Sequence, residues 1–163
     1  MIIRDATPAD AGQMTDLLNE IIAIGGTTAH QRPFDTDRMQ QHYIEPPDLV
    51  SCKLAEKDGT VLGFQCVEWA TWPDDPMPEG WAVIASFVAP AAAGQGVGQQ
   101  LFAATRAAAI AAGVKTIDAT IRADNVPGLR YYSGLGFVDY DRLIGVPLRD
   151  GTAVDRIRKR LDP

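Results

Sequence analysis

The chain has 163 residues, 46% hydrophobic and 22% charged, a composition typical of one globular domain and incompatible with wholesale disorder. Fifteen lysines and arginines against 21 acids give a net charge of −6, which excludes nucleic acids and anionic membranes as general partners. The first residues lack the cationic and apolar pattern of a secretory signal. We therefore expect a single domain over residues 1–163 in the cytoplasm, with no membrane segment.

Periodic and alternating apolar positions predict the element order β-α-α-β-β-β-α-β-α-β-β. In chain order the predicted elements span residues 2–4, 8–24, 35–43, 50–57, 60–71, 81–88, 97–112, 116–121, 126–133, 137–143 and 154–161. This order predicts an α/β fold, a mixed sheet with helices on both faces.

Turn and cap residues set several of these boundaries. Thr7-Pro8-Ala9-Asp10 combines a threonine cap, a proline at the first helical position and an acid at the third, which predicts a helix start. Gly25-Gly26 ends that helix, and Asp58-Gly59 predicts a tight hairpin because both positions tolerate a positive φ. Residues 81–88 are apolar except for Ser86, which predicts a buried central strand.

Two cysteines lie on the two strands of this hairpin. A regular hairpin about Asp58-Gly59 puts Cys52 opposite Gln65, so Cys66 should point to the other face of the sheet. We therefore expect reduced thiols rather than a disulfide. Neither cysteine has a histidine or another cysteine at ligand spacing, so no metal site is predicted.

A glycine-rich loop follows the central strand. Between Val88 and the next helix the chain carries Gly94, Gly96 and Gly98, whose spacing lets backbone amides and a helix N-terminus approach a pyrophosphate. The spacing G-x-G-x-G differs from the dinucleotide fingerprint, and no Gly-Lys-Ser/Thr follows as in nucleoside-triphosphate loops. The alternative is that the glycines only permit tight packing of the strand on the helix.

A second informative segment begins at Asn125, at the end of a strand. Asn125 can cap the helix that follows. Tyr132 lies about two helical turns further on and therefore on nearly the same side. Gly136-Phe137 follows. Alone, tyrosines in this setting are more often core or interface residues than catalysts.

Together these two segments resemble the GNAT superfamily of acyl-CoA-dependent N-acyltransferases, in which the loop pattern Q/R-x-x-G-x-G/A binds the coenzyme A pyrophosphate. Residues 93–98 and the pattern Asn125, Tyr132, Gly136-Phe137 carry the likeness. Residues 19–28 and 34–36 are more loosely similar to the phosphinothricin acetyltransferase-like branch. The resemblance implies a mostly antiparallel, twisted sheet of about seven strands that diverge after the fourth, with acetyl-CoA as co-substrate. It implies contacts to acetyl-CoA from Phe87, Val88, Gly94, Gln95, Gly96, Val97, Gly98, Gln99, Asn125 and Tyr132.

The resemblance gives Tyr132 the role of general acid toward the leaving thiolate, whose thiol has a pKa near ~8.5. A base is needed as well, because an amine with a pKa of about 10.4 is almost entirely protonated at pH 7. The strand at 81–88 holds no acid where the related branch carries a glutamate. Glu68, at the end of the preceding strand, is our best candidate, with a half-exposed structural role as the alternative. Weaker candidates are Asp74, Asp75 and Glu79; we expect His30 and His42 at the surface, His30 in a loop facing the acceptor.

One further departure from the family concerns Ala93, which stands where the family has Gln or Arg. We expect it to weaken pyrophosphate binding rather than abolish it.

We therefore predict an N-acetyltransferase that moves an acetyl group from acetyl-CoA to a primary amine of a small molecule, such as an amino-acid-like one, by direct attack. The alternatives are a non-catalytic acyl-CoA-binding module of the same fold and an unrelated nucleotide-binding protein. The partners we expect are acetyl-CoA, an amine acceptor and a second copy of the chain in a homodimer.

Overall fold

The computed structural model describes residues 1–163 and contains one seven-stranded mixed sheet with helices on both faces. In chain order the strands are β1 (Ile2–Asp5), β2 (Leu49–Lys57), β3 (Thr60–Trp69), β4 (Trp81–Val88), β5 (Thr116–Arg122), β6 (Val138–Pro147) and β7 (Ala153–Leu161). The helices are α1 (Ala11–Ile24), α2 (Thr36–Met39), α3 (Val97–Ala111) and α4 (Val126–Gly134). The predicted element order is confirmed. In space the strands run β1-β2-β3-β4-β5-β7-β6, so β4 is central.

The predicted caps and turns form as the local sequence dictates. The Thr7 and Asp10 side chains form a capping box over a short 3-10 turn that leads into α1. Gly25 ends α1 with φ of 74°. Asp58 and Gly59 have φ of 51° and 79°, the positive pair that matches the twist of the β2–β3 hairpin. The second predicted helix is α2, which continues as a π-helical turn over Gln40–Ile44.

The register of β2 and β3 differs from the prediction because of a β-bulge. Ala55 pairs with Gly63 and Glu56 with Val61, so Leu62 is an extra residue on β3. From Ala55 back to Ser51 each pair is shifted by one, and Cys52 therefore lies opposite Cys66 rather than Gln65. A second irregularity between Ser51 and Leu49 reverses the shift. The prediction that the cysteines point to opposite faces is wrong.

Both cysteines are buried free thiols, and the Cys66 thiol donates a hydrogen bond to the Cys52 sulfur.

The two faces of the sheet bury different cores. On one face α1 and α2 pack over a cluster that includes Met14, Leu18, Tyr43, Phe64 and Phe87. On the other face α3 and α4 cover a second cluster, in which members such as Phe102, Tyr132 and Phe137 pack on β4 and β5. Because side chains alternate along each strand, successive residues of β4 reach the two faces in turn. No helix has the length and apolarity that crossing a membrane requires.

Candidate active site

The central strands β4 and β5 separate halfway along their length. They are parallel and pair only from Trp81–Thr116 to Val83–Asp118. Beyond that point β4 pairs only with β3, and β5 only with β7. The expected divergence after the fourth strand is confirmed. A cavity of about 760 Å³ fills the gap, lined by residues 84–88 of β4 and 120–122 of β5.

One end of the cavity is formed by the glycine loop and the N-terminus of α3. Gly94 and Gly96 have φ of 76° and 78°, a conformation that costs glycine little. Gly96 is the N-cap of α3, and Gln100 is the first residue whose amide bonds back to it. The amides of the intervening first turn therefore have no acceptor within the helix. A Cβ at Gly94 or Gly96 would meet no atom within 4 Å, so open space lies before this backbone.

Nine of the ten residues expected to contact acetyl-CoA line this cavity. They are Phe87, Val88, Gly94, Gly96, Val97, Gly98, Gln99, Asn125 and Tyr132. The tenth, Gln95, is not among the lining residues, and its side-chain amide donates to the Ala91 carbonyl. Ala93 also lines the cavity and offers no side-chain donor there.

The Tyr132 hydroxyl belongs to a hydrogen-bonded network beneath the loop. It lies 2.7 Å from Ser86 Oγ. The buried Gln65 side-chain amide donates to Ser86 Oγ at 2.8 Å and to the Tyr131 hydroxyl at 2.9 Å. Tyr131 in turn donates to the Gly98 carbonyl at 2.7 Å. The network therefore joins β3, β4, α4 and the first turn of α3.

Burial shapes the acidity of both tyrosines. It raises the pKa of Tyr131 to about 12 and raises the pKa of Tyr132 as well, because a phenolate loses hydration in the core. The hydrogen bond between Ser86 and Tyr132 partly opposes the rise in the Tyr132 pKa. Both side chains are thus neutral donors at pH 7.

Asn125 performs the capping role that its position predicts. Its side-chain oxygen accepts the Gly128 amide at 3.0 Å, which starts α4. Its side-chain nitrogen donates to the Thr27 carbonyl, in the segment between α1 and α2. Asn125 thereby ties that segment to the mouth of the cavity.

The wall on the α1 and α2 side of the sheet is aromatic. His30 Nε2 lies 2.7 Å from the Tyr43 hydroxyl, and the His30 ring packs edge-on against Phe34. Burial, with the charges of His42 and Arg38, lowers the pKa of His30 to about 4, so this histidine is neutral at pH 7. His42 is exposed, as expected, whereas His30 is partly buried and lines the cavity.

Two formally charged side chains line the cavity, and both are positive: Arg122 and Arg156. No aspartate or glutamate lines it. The weaker base candidate Asp75 pairs instead with Arg158.

Glu68 lies outside the main cavity. It lines an adjoining cavity of about 50 Å³, which shares Tyr43, Ile84 and Ala85 with the main one. Partial burial and the nearby Asp48 charge raise the pKa of Glu68. Among the residues lining these two cavities, Glu68 is the only carboxylate.

Sequence reasoning missed Gln65, Tyr131, Arg122 and Arg156. Gln65 stands within an otherwise buried strand, and a polar residue there is a usable signal because it needs a partner. Ser86 is the only polar residue of β4, yet the sequence did not indicate its contact with Tyr132. The two arginines meet only through the β5–β7 pairing, which joins residues 34 positions apart.

A family model described as the acetyltransferase (GNAT) family matches residues 14–137. No curated protein sequence matches the chain significantly.

Three solved structures illustrate the structural likeness. yncA from Salmonella typhimurium, solved with its cofactor acetyl-CoA, is 22% identical, with a TM-score of 0.81 over 99% of this chain and 92% of that one. A phosphinothricin acetyltransferase from Sinorhizobium meliloti in complex with acetyl-CoA is 18% identical, with a TM-score of 0.83 over 99% and 87%. The ribosomal-protein-alanine N-acetyltransferase of Brucella melitensis is 21% identical, with a TM-score of 0.81 over 100% of both chains. At these identities the likeness establishes the fold.

Proposed function

The chain belongs to the GNAT acetyltransferase family, and on that premise we propose that it transfers the acetyl group of acetyl-CoA to a primary amine of a small molecule by direct attack. The observation that carries the proposal is the gap between β4 and β5. Amides of the α3 N-terminus that have no acceptor in the helix lie at one end of this gap, and the Tyr132 hydroxyl lies near its middle. A cavity in this gap can hold a phosphate-bearing thioester against the loop and an acceptor beside the thioester.

The residues present fit acetyl-CoA. Backbone amides of the loop and the first turn of α3 would hold the pyrophosphate, with Gly94 and Gly96 leaving room for its oxygens. For Gln95 the proposed contact is its backbone amide alone. Ala89 bonds to Leu62 of β3, so by alternation the main-chain groups of Val88 face β5, where they have no strand partner. They would pair with the pantetheine amides. Acetyl-CoA supplies the thioester that the amine attacks.

Tyr132 is the proposed general acid. Ser86 Oγ accepts from Gln65 and can donate its own proton to Tyr132, and in that arrangement the Tyr132 proton is free to point into the cavity. As the amine nitrogen bonds to the carbonyl carbon, the carbon–sulfur bond breaks and its electron pair passes to sulfur. The sulfur then takes the Tyr132 proton and leaves as a thiol, and Tyr132 is reprotonated from solvent.

Glu68 is the proposed general base. It would take the proton of the attacking amine through water, across the wall that the two cavities share. Its raised pKa brings it closer to the working pH and makes it a better proton acceptor than an exposed glutamate.

One alternative is supported by specific observations: a module that binds acyl-CoA without turnover. Ala93 removes a side-chain phosphate donor, and no carboxylate lines the main cavity. Both functions predict binding of acetyl-CoA, whereas only the enzyme releases thiol.

Two measurements test the proposal. Calorimetry should show acetyl-CoA binding and no binding of NAD or ATP. Thiol release should rise above the hydrolysis background with at least one amine from a panel of amino acids, polyamines, arylamines and peptides. Binding without thiol release from any amine would favour the non-catalytic module, and absence of acetyl-CoA binding would overturn both functions.

A further inference from the structure

The cavity carries a positive charge that the proposed acetyl transfer does not use. The protein as a whole has a net charge of −6, yet the two charged side chains that line this cavity are Arg122 and Arg156. An acceptor that is only an ammonium ion would be repelled by such a lining.

Arg122 makes hydrogen bonds within the protein through all three of its nitrogens. Its Nε and one terminal nitrogen donate to Asp124, and the other terminal nitrogen donates to the Thr28 carbonyl. The Arg122 charge is therefore paired with Asp124, and each of its three nitrogens already has an acceptor within the protein.

Arg156 differs from the other arginines of its strand. Arg158 pairs with Asp75, and Arg160 pairs with Asp162. The Arg156 guanidinium makes no such ion pair, and its Nε is buried without any hydrogen-bond partner. Partial burial without an acceptor is costly for a guanidinium. It lowers the Arg156 pKa, and the charges of Arg122 and Arg158 lower that pKa further.

The register places Arg156 on the acceptor side of the sheet. Arg156 lies directly opposite Arg122 and therefore shares its face. Arg122 reaches the segment between α1 and α2 through Thr28. The neighbouring residue Ile121 points the other way, into the cluster that contains Tyr132. Arg156 and the proposed general acid thus reach the gap from opposite faces of the sheet.

We propose that Arg156 binds a carboxylate of the acceptor, so that the acceptors are amino acids or other small amines that carry a carboxylate. This inference rests on the proposed acetyl transfer and names its substrate class. A carboxylate offers two acceptor oxygens to the planar guanidinium and supplies the missing counterion. The same positive charge disfavours the ammonium form of an amine held beside it, which raises the share of the neutral nucleophile.

The test compares acceptors that differ only in the carboxylate. Transfer to leucine and to leucinol, and to phenylalanine and phenylalaninol, is measured in the wild type, in Arg156→Gln and in Arg156→Lys. Arg160→Gln is the control, because Arg160 lies on the same strand and face but outside the cavity. Binding of N-acetyl-leucine and N-acetyl-leucinol in the presence of coenzyme A is measured by calorimetry, which requires no turnover. Affinity for acetyl-CoA is measured in each variant.

We expect the wild type to prefer the acids, and Arg156→Gln to reduce the acid-to-alcohol ratio of kcat/KM by about 10- to 100-fold, the range for a charge-assisted hydrogen bond. Arg156→Lys should restore part of that preference, and Arg160→Gln should retain all of it. Acetyl-CoA affinity should change less than about twofold.

Three outcomes separate the hypotheses. Equal use of acids and alcohols by the wild type overturns the carboxylate subsite and leaves acetyl transfer standing. The carboxylate subsite is also overturned if Arg156→Gln weakens acetyl-CoA affinity and leaves the acid-to-alcohol ratio of kcat/KM unchanged. Arg156 would then bind a phosphate of the coenzyme. If no acceptor is acetylated but N-acetyl-leucine still binds in an Arg156-dependent way, the proposed function fails and the carboxylate subsite stands.

Discussion

The Tyr132 side chain is oriented by polar contacts as well as by packing. Its ring lies 5.2 Å from that of Phe137, while its hydroxyl is tied to Ser86. Gln65 in turn fixes the Ser86 hydroxyl from a neighbouring strand. Because each residue of this hydrogen-bonded network lies on a strand or a helix, the Tyr132 hydroxyl is held in place before any ligand binds.

The first prediction concerns that hydroxyl. Tyr132→Phe removes one oxygen and should keep the ring packing, so acetyl-CoA affinity should stay within about twofold. The rate of a single turnover at saturating acetyl-CoA should fall by about 10²-fold, because the proton transfer matters only as the thioester breaks. Tyr140→Phe is the control, since the Tyr140 hydroxyl bonds Asp118 away from the cavity. Equal rates in Tyr132→Phe and wild type would remove Tyr132 from the mechanism.

The second prediction concerns the ionisation of Glu68. A base must be deprotonated, and burial and the Asp48 charge raise the Glu68 pKa. The kcat of the wild type should therefore fall, as the pH decreases, at a pH above the ordinary glutamate value of about 4.3. Glu68→Gln should lower kcat by about 10²-fold and abolish this acidic limb. Asp48→Asn removes a charge that raises the pKa and should move the limb to lower pH.

If the Glu68→Gln variant keeps both the wild-type rate and the acidic limb, Glu68 is not the base. A shift of the limb toward higher pH in Asp48→Asn would show that its pKa is set by another group.

At the scale of elements, the sequence predicted the helices and strands, whose positions depend on interactions between residues close in sequence. Caps, turn residues and apolar periodicity identify all seven strands and the main helices, because each signal lies within a few residues of its element. The bulge at Leu62 was not predictable in this way. An apolar residue suits either face of a strand covered on both sides, so nothing local marks it as the extra residue.

In the candidate site, too, the local patterns could be predicted from the sequence and the long-range contacts could not. The glycine loop and the Asn125–Tyr132 segment are local patterns, and the sequence located both. The contacts of Gln65 with Ser86 and Tyr131 join residues 21 and 66 positions apart, so they follow from strand order and register rather than from any local pattern.

The third prediction concerns the loop as an element. Gly96 and Gly113 lie at the two ends of α3, both with positive φ and with open space where a Cβ would be. Replacing either by alanine should cost about 1–3 kcal/mol of stability through backbone strain. Gly96→Ala should also weaken acetyl-CoA binding by about tenfold or more, because the strained N-cap misdirects the amides that face the pyrophosphate. Gly113→Ala should leave that affinity unchanged, since Gly113 does not line the cavity.

Calorimetry and thermal unfolding of the two variants separate these effects. Unchanged acetyl-CoA affinity in a folded Gly96→Ala protein would contradict the assignment of this loop to the pyrophosphate.

At the scale of the whole molecule, the sheet has two edges that differ in length. The edge strand β1 has four residues, a length that limits pairing with other chains. The opposite edge is β6, with ten residues and mostly exposed side chains. Val138 and Ile144 on β6 are 60% and 74% exposed. Irregular pairing of β6 with β7 bends this strand, so a partner would meet its side chains more readily than its backbone.

The fourth prediction is that the protein forms a homodimer through the β6 face. Burial of Ile144 against a second copy would remove this apolar side chain from water, and a two-fold interface lets the same surface serve both subunits. Light scattering at micromolar concentration should give twice the chain mass of 17.6 kDa. Ile144→Asp should reduce the mass to that of one chain, because an unpaired carboxylate at the centre of the contact is costly.

Ile110→Asp is the matched control, since Ile110 is equally apolar and 56% exposed but lies on α3. A monomeric wild type refutes the dimer, and a dimer that survives Ile144→Asp but dissociates with Ile110→Asp places the interface on α3 instead.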